Sequence, residues 1–317
     1  MTKITDNDET YERIMNICQT IMKGVIMQDI WISYKTGEMR DDMISLEELK
    51  KRQEKKDNQL NGYRYAKKEM LPLPGFLQEE YGAFIHTRYN ALLEKLKYDT
   101  ATAFRFIYLC TYMNYDDGYI IWQGKKIDNG YLIDIFNVNQ NSITKIKKKL
   151  YEEELIFRDK EGHIYINSDY CYKGDVNNNK LYKKEYTRIF NDSIRELYNK
   201  TQDPREHKSL GRIILLLPYV NVYHNIICLN IKEKDMEKLI LPNSEQMDII
   251  FHTSHRNYIR LTEDLFKLSV NGEPVVLCIN HKNARMYAIN PKVYYGGTRL
   301  SDLKEISDYF KAKGGIN

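Results

Sequence analysis

Between Phe136 and Asn167 the chain reads FNVNQNSITKIKKKLYEEELIFRDKEGHIYIN, crowding lysines and short polar side chains into one segment. Asn and Gln pair with adenine edges, Arg pairs bidentately with guanine, and Lys, Ser and Thr reach phosphate oxygens, so these types at the start of a helix point to DNA recognition. The candidate contacts are Asn139, Gln140, Asn141, Ser142, Thr144, Lys145, Lys148 and Lys149, followed by Arg158 and Lys160 in the next hairpin. A second, weaker set lies in HTSHRNYIRLTEDLF: Thr253, Ser254, His255, Arg256, Asn257 and Arg260, with Lys282 and Arg285 further on. Arg256 has the chemistry for a bidentate guanine contact, while Glu263 and Asp264 make this helix less basic than the first. A run of lysines is also what a solvated helix face looks like, so the order of elements around it must decide.

Catalytic readings fare worse. A nicking enzyme of the rolling-circle kind needs a His-hydrophobic-His metal pair, and none occurs among His86, His163, His207, His224, His252, His255 and His281. The His-x-x-Arg spacing of a tyrosine recombinase is missed, because His252 and His255 stand four and one residues before Arg256. GYIIWQGKK places five residues between Gly118 and Gly124 where a phosphate-binding loop needs four, and Lys126 stands where a magnesium-binding hydroxyl belongs. The five cysteines are scattered without a C-x-x-C pair and are expected to be buried free thiols. No enzymatic activity, metal or cofactor is expected.

Helical and strand periodicities supply the scaffold. Phe104, Ile107, Tyr108 and Cys110 predict a central helix buried on most sides. Tyr119 to Trp122 reads as a short strand, and Ile127, Leu132, Ile135 and Phe136 as a short helix before the polar turn Asn137 to Gln140. Ile143, Ile146, Leu150 and Tyr151 form one apolar stripe on the lysine-bearing helix, and LIFRD and HIYIN form a hairpin around Gly162. Helix, strand, helix, turn, helix, hairpin is the order of a winged helix-turn-helix, whose second turn helix enters the major groove.

The same order returns later. Asn90 matches Asn191, Arg105 Arg212, Tyr112 Tyr219, Asn114 Asn221, Phe136 Phe251, Leu150 Leu265, Asn167 Asn290 and Gly174 Gly297, with the offset growing only between elements. The expected fold class is therefore α+β: two tandem winged helix-turn-helix domains, at 80–176 and 183–300, preceded by a small mixed α/β N-terminal region. That region, 1–75, closes at the Pro-bearing MLPLPGF and is a candidate for oligomerisation or partner binding; 301–317 is a C-terminal helix or tail. In this scheme Pro218 falls in the second central helix and NSEQ is an insertion.

The stretches FRFIYLCTYMNYDDGYII, NVNQNSITKIKKKLYEEELIFRD and YINSDYCYKG, with INPKVYYGG echoing the last, resemble the winged-helix segment of RepL-type replication initiators. These come from plasmids and phages of low-GC Gram-positive bacteria. The resemblance covers most of both copies and none of the first 80 residues. It implies double-stranded DNA binding at an origin or operator, in replication initiation or, alternatively, as a transcriptional regulator of plasmid or phage genes. Partners beyond DNA stay open: a homodimer, and the replication or transcription machinery. The second copy either reads DNA or serves dimerisation through Ile249, Ile250, Tyr258 and Phe266.

Composition is compatible with this. The chain has 317 residues, 42% hydrophobic and 29% charged, with a net charge of +4, so nucleic-acid affinity must come from local patches. No apolar run approaches the roughly 18 residues of a membrane span, and the N-terminus lacks a secretory pattern, so a cytoplasmic protein without membrane contact is expected.

Overall fold

The computed structural model describes residues 50–51, 54–55, 73–174, 187–201, 204–254, 257–281, 284–297 and 300–314. The chain divides between Leu71 and Pro72, within MLPLPGF, and the second unit is a mixed α+β body. Its first half runs α1 (Leu73–Tyr81), β1 (Phe84–Thr87), α2 (Tyr89–Lys95), α3 (Thr100–Cys110), β2 (Ile121–Trp122), β3 (Lys125–Lys126), α4 (Leu132–Phe136), α5 (Gln140–Glu152), β4 (Ile156–Arg158), β5 (Ile164–Ile166) and β6 (Cys171–Tyr172). The second half runs β7 (Thr187–Phe190), α6 (Asn191–Asn199), α7 (Pro204–Leu216), α8 (Ser244–Ile250), α9 (Asn257–Phe266), β8 (Ser269–Val270), β9 (Glu273–Pro274), β10 (Val276–His281), β11 (Ala284–Ile289), β12 (Tyr294–Tyr295) and α10 (Leu300–Gly314).

Backbone hydrogen bonds repeat between the halves. Asn114 N–H donates to the Tyr119 carbonyl at 2.7 Å, and Asn221 N–H to that of Ile226 at 2.7 Å. Ile166 N–H donates to Gly118 at 2.9 Å, and Ile289 N–H to Asn225 at 2.9 Å. Asn167 and Asn290 each accept a backbone amide two residues on, at 2.9 Å in both. The repeat noticed in the side chains is therefore also a repeat of backbone geometry.

One four-stranded sheet joins the halves in the order β12-β7-β1-β6. Strand β1 pairs antiparallel with β7, placing His86 opposite Arg188, Ile85 opposite Ile189 and Thr87 opposite Thr187. On the outer sides His86 faces Tyr172 and Thr87 faces Cys171, while Arg188 faces Tyr295 and Ile189 faces Tyr294. Cys171 and Tyr172 hold the positions in the first half that Tyr294 and Tyr295 hold in the second. His86 is thus the counterpart of Arg188, and these counterparts face each other, so the sheet is two-fold symmetric about the His86–Arg188 pair.

Helices α3 and α7 make the most extensive helix contact in the unit. Asp99 caps α3 by accepting from Thr102 N–H at 3.2 Å, and Ala103, Phe104, Phe106, Ile107, Tyr108, Leu109 and Cys110 are all buried. Leu210, Ile213, Ile214 and Leu216 of α7 belong to the same core cluster. A Cβ added at Gly211 would overlap the Thr100 carbonyl, and Thr100 Oγ1 donates to the Lys208 carbonyl at 3.1 Å. Tyr108 and Tyr198 stack with centroids 3.6 Å apart and planes 6° from parallel. Burial drives both phenols well above their ordinary pKa, so they remain neutral donors.

Several expectations need correction. Arg88 N–H donates to Tyr170 and Phe190 N–H to Val293, so Asn191 occupies the place of Tyr89 and not of Asn90, in step with the pairing of His86 and Arg188. Pro218 lies beyond α7, in the 3-10 turn Leu217–Tyr219, where its missing N–H breaks no helical bond. NSEQ is not an insertion but the start of α8: Asn243 and Gln246 form a reciprocal capping box. Cys110, Cys171 and Cys228 are buried but Cys278 is exposed, and Cys18 lies outside the described residues. Gln123 and Gly124, at φ 50° and 77°, are the two central residues of the β2–β3 hairpin, so GYIIWQGKK is a tight hairpin and opens no helix.

Replacing Gly211 with Ala forces α3 and α7 apart at a backbone contact. We expect Gly211→Ala to cost about 1–3 kcal/mol or more, lowering the urea midpoint of the whole 72–317 unit when followed by circular dichroism. An unchanged midpoint would mean the helices separate freely there.

Candidate nucleic-acid interface

Helix α4 ends at Phe136, and Asn137 turns the chain in the left-handed region at φ 47°, which Asn tolerates better than most residues. Two residues later Asn139 caps α5, its side-chain oxygen accepting from Ser142 N–H at 2.9 Å. Ile143, Ile146 and Leu150 are buried against the core, and Asn141, Thr144, Lys145 and Lys148 line the opposite, exposed face of the helix. The 3.6-residue repeat thus separates a packing side from a polar one. The carbonyls of Ile135 and Phe136, left over at the end of α4, accept from Tyr108 Oη at 3.0 Å and Tyr198 Oη at 2.9 Å. The second of these donors comes from the other half of the unit.

The candidate residues differ in how free they are. Asn139 uses its oxygen as a cap, and the Thr144 hydroxyl donates to the Gln140 carbonyl at 2.8 Å, leaving its methyl and lone pairs outward. Lys149 is half-buried and pairs with Glu153 at 2.7 Å, a contact that raises the lysine pKa and lowers that of the carboxyl. Lys148 approaches Glu152 at a looser 3.7 Å. Gln140, Asn141 and Lys145 are exposed, and Ser142 is half-buried. On the hairpin, exposed Arg158 lies over the Tyr151 ring at 5.3 Å, and Lys160 is exposed in the turn.

That turn is locked by Asp159, whose carboxylate accepts from the amides of Glu161 at 2.9 Å and His163 at 2.8 Å. Desolvation pushes the Asp159 carboxyl up, but these amides together with the Tyr119 hydroxyl outweigh it and hold the pKa below its ordinary value. Asp159, Glu161 and His163 also have donor atoms within 4.8 Å of one another, the one group of metal-ligand types among the described residues. Its contacts are explained by the turn itself.

The second copy reproduces the geometry with different chemistry. His252 takes the left-handed turn position at φ 49°, as Asn137 does, and Ser254 Oγ accepts from Asn257 Nδ2 at 3.1 Å. Arg260 stands where the first copy has Lys145, but Glu263 replaces Lys148, Asp264 replaces Lys149 and Ile259 replaces Thr144. Asp264 is engaged by Arg212 at 3.8 Å and Lys267 at 3.1 Å. Thr253 is half-buried, Ser254, Asn257 and Arg260 are exposed, and Arg285 is exposed on β11 opposite Asn280. His255, Arg256 and Lys282 lie outside the described residues. Of the residues named for dimerisation, Ile250 is buried, Tyr258 and Phe266 pack half-buried on the core, and Ile249 is 67% exposed.

Two features escaped sequence reasoning. Ile259 is 52% exposed on the outward face of α9, where the pattern of apolar residues alone reads as packing. The His252 ring lies 3.8 Å from that of Tyr98, tying the second turn to the first copy, and no local signal marks so distant a pair. Among the described residues no helix is long and apolar enough to cross a membrane. Comparison with known proteins finds no matching family model, no similar curated protein and no similar solved structure.

The cap and the exposed neighbour can be separated by stability alone. Asn139→Ala should cost about 1 kcal/mol because the Ser142 amide loses its acceptor, whereas Asn141→Ala should stay within about 0.5 kcal/mol. Denaturant titrations of the two variants check this, and equal losses would show that Asn141 shares the capping role.

Proposed function

We propose that the protein binds double-stranded DNA sequence-specifically through α5 and the β4–β5 hairpin, each copy acting as a winged helix-turn-helix. The observation that carries this reading is the exposed stripe Asn141, Thr144, Lys145 and Lys148, opposite the buried Ile143, Ile146 and Leu150 on the helix after a left-handed turn. Short polar groups near the start of that helix suit base edges, and the lysines further along suit phosphates. Arg158 and Lys160 place positive charge on the adjoining hairpin, where a wing meets the backbone. The resemblance to RepL-type initiators favours replication initiation at plasmid or phage origin repeats over transcriptional regulation, which would use the same helices.

Two substitutions distinguish backbone contacts from base reading. Lys145→Ala with Lys148→Ala should weaken binding to every sequence and flatten the salt dependence by about one unit of slope for each phosphate that is no longer neutralised. Asn141→Ala should cost about 1–3 kcal/mol on the preferred site and far less on random DNA. Binding titrations over a range of salt, on fragments selected from genomic DNA, measure both. Unchanged affinity and slope in the lysine variant would overturn the assignment of α5.

A further inference from the structure

The relation between the two halves fixes more than their number. Antiparallel pairing of β1 with β7 sets counterparts face to face at His86 and Arg188, and the flanking pairs β1–β6 and β7–β12 repeat the same register. A pair of equivalent strands that meet this way is related by a two-fold rotation and not by a translation along the chain. The central helices α3 and α7 also meet each other. The turns at Asn137 and His252 and the helices α5 and α9 are then related by that same axis, as in a dimer of two chains. A surface with two-fold symmetry is matched by DNA whose half-sites are inverted about a dyad, since the backbone of B-DNA has that symmetry itself.

We infer that one chain acts as a covalent pseudo-dimer and takes an imperfect inverted repeat, its α5 half-site and its α9 half-site pointing toward each other. This rests on the DNA-binding reading above. The half-sites are unlike, because the two helices present different side chains: Asn141, Thr144, Lys145 and Lys148 in one and Asn257, Ile259, Arg260 and Glu263 in the other. Their centres lie about one helical turn, roughly 34 Å, or a multiple apart.

The test uses the full chain at concentrations where sedimentation shows a monomer, and genomic fragments it retains. Footprinting locates the two half-sites; a second duplex carries the same halves at the same spacing with one half reversed into direct orientation, and a third carries one half alone. We expect one chain per inverted site, at least a tenfold loss of affinity on the direct arrangement, and protection of one half only in Arg260→Ala. Equal affinity for inverted and direct arrangements, or a footprint requiring two chains with α9 leaving no half-site, overturns this inference while leaving DNA binding intact. Failure to retain any fragment overturns both.

Discussion

At the crossing of α3 and α7 there is no space for a side chain on Gly211: the Thr100 carbonyl occupies the place of its Cβ. The approach this permits brings the second half of the unit close enough for Tyr198 to lie flat on Tyr108 and to donate to the end of α4. Two tyrosine hydroxyls buried in the core need acceptors, and two helix-terminal carbonyls need donors; each satisfies the other. Arg195 and Asn191 do the same for the Thr111 carbonyl at the end of α3, at 2.7 and 3.3 Å. The orientation of α4, and through the Asn137 turn that of α5, is therefore held partly by residues of the other copy. The candidate reading face is a property of the whole unit and not of its first hundred residues.

What could be read in advance was what depends on local period. Ile143, Ile146 and Leu150 declare their helix by spacing alone, and the matched pair Phe136 and Phe251 is buried in both copies. The strands that join the copies are four residues each, Phe84–Thr87 and Thr187–Phe190, too short for alternation to register and lying directly before helices. Their partner is far away in sequence, so nothing local reveals the pairing that sets the two-fold. The one-residue slip at Asn90 has the same origin, because identical short words, Thr-Arg and Asn, align without regard to the hydrogen bonds that decide register. The candidate site divides likewise: which residues are outward on α5 followed from its stripe, while the capping role of Asn139 depended on its backbone angles.

Symmetry of backbone with asymmetry of side chains has a physical consequence under the DNA-binding reading. The α5 face offers two exposed lysines and the hairpin adds Arg158 and Lys160, whereas the α9 face exposes Arg260, Glu263 and the apolar Ile259. Counterion release scales with the phosphates neutralised, so the first half carries most of the sequence-independent attraction. A carboxylate facing phosphate opposes it, though screening limits the range to about 8–10 Å at physiological salt.

Under the same reading, a weak second half is tolerable only because it is tethered. In a dimer of separate chains each half must contribute enough affinity to compensate for assembling two molecules on one site. Within one chain the second contact is intramolecular once the first is made, and the shared sheet and core hold it at a fixed distance, so its effective concentration is set by geometry and not by how much protein is present. On that proposal Arg260 and Asn257 need supply only discrimination, and differences such as Thr144 against Ile259 or Lys148 against Glu263 cost little overall binding. On that proposal, the join at which α3 and the apolar face of α7 bury each other is what lets the two faces differ.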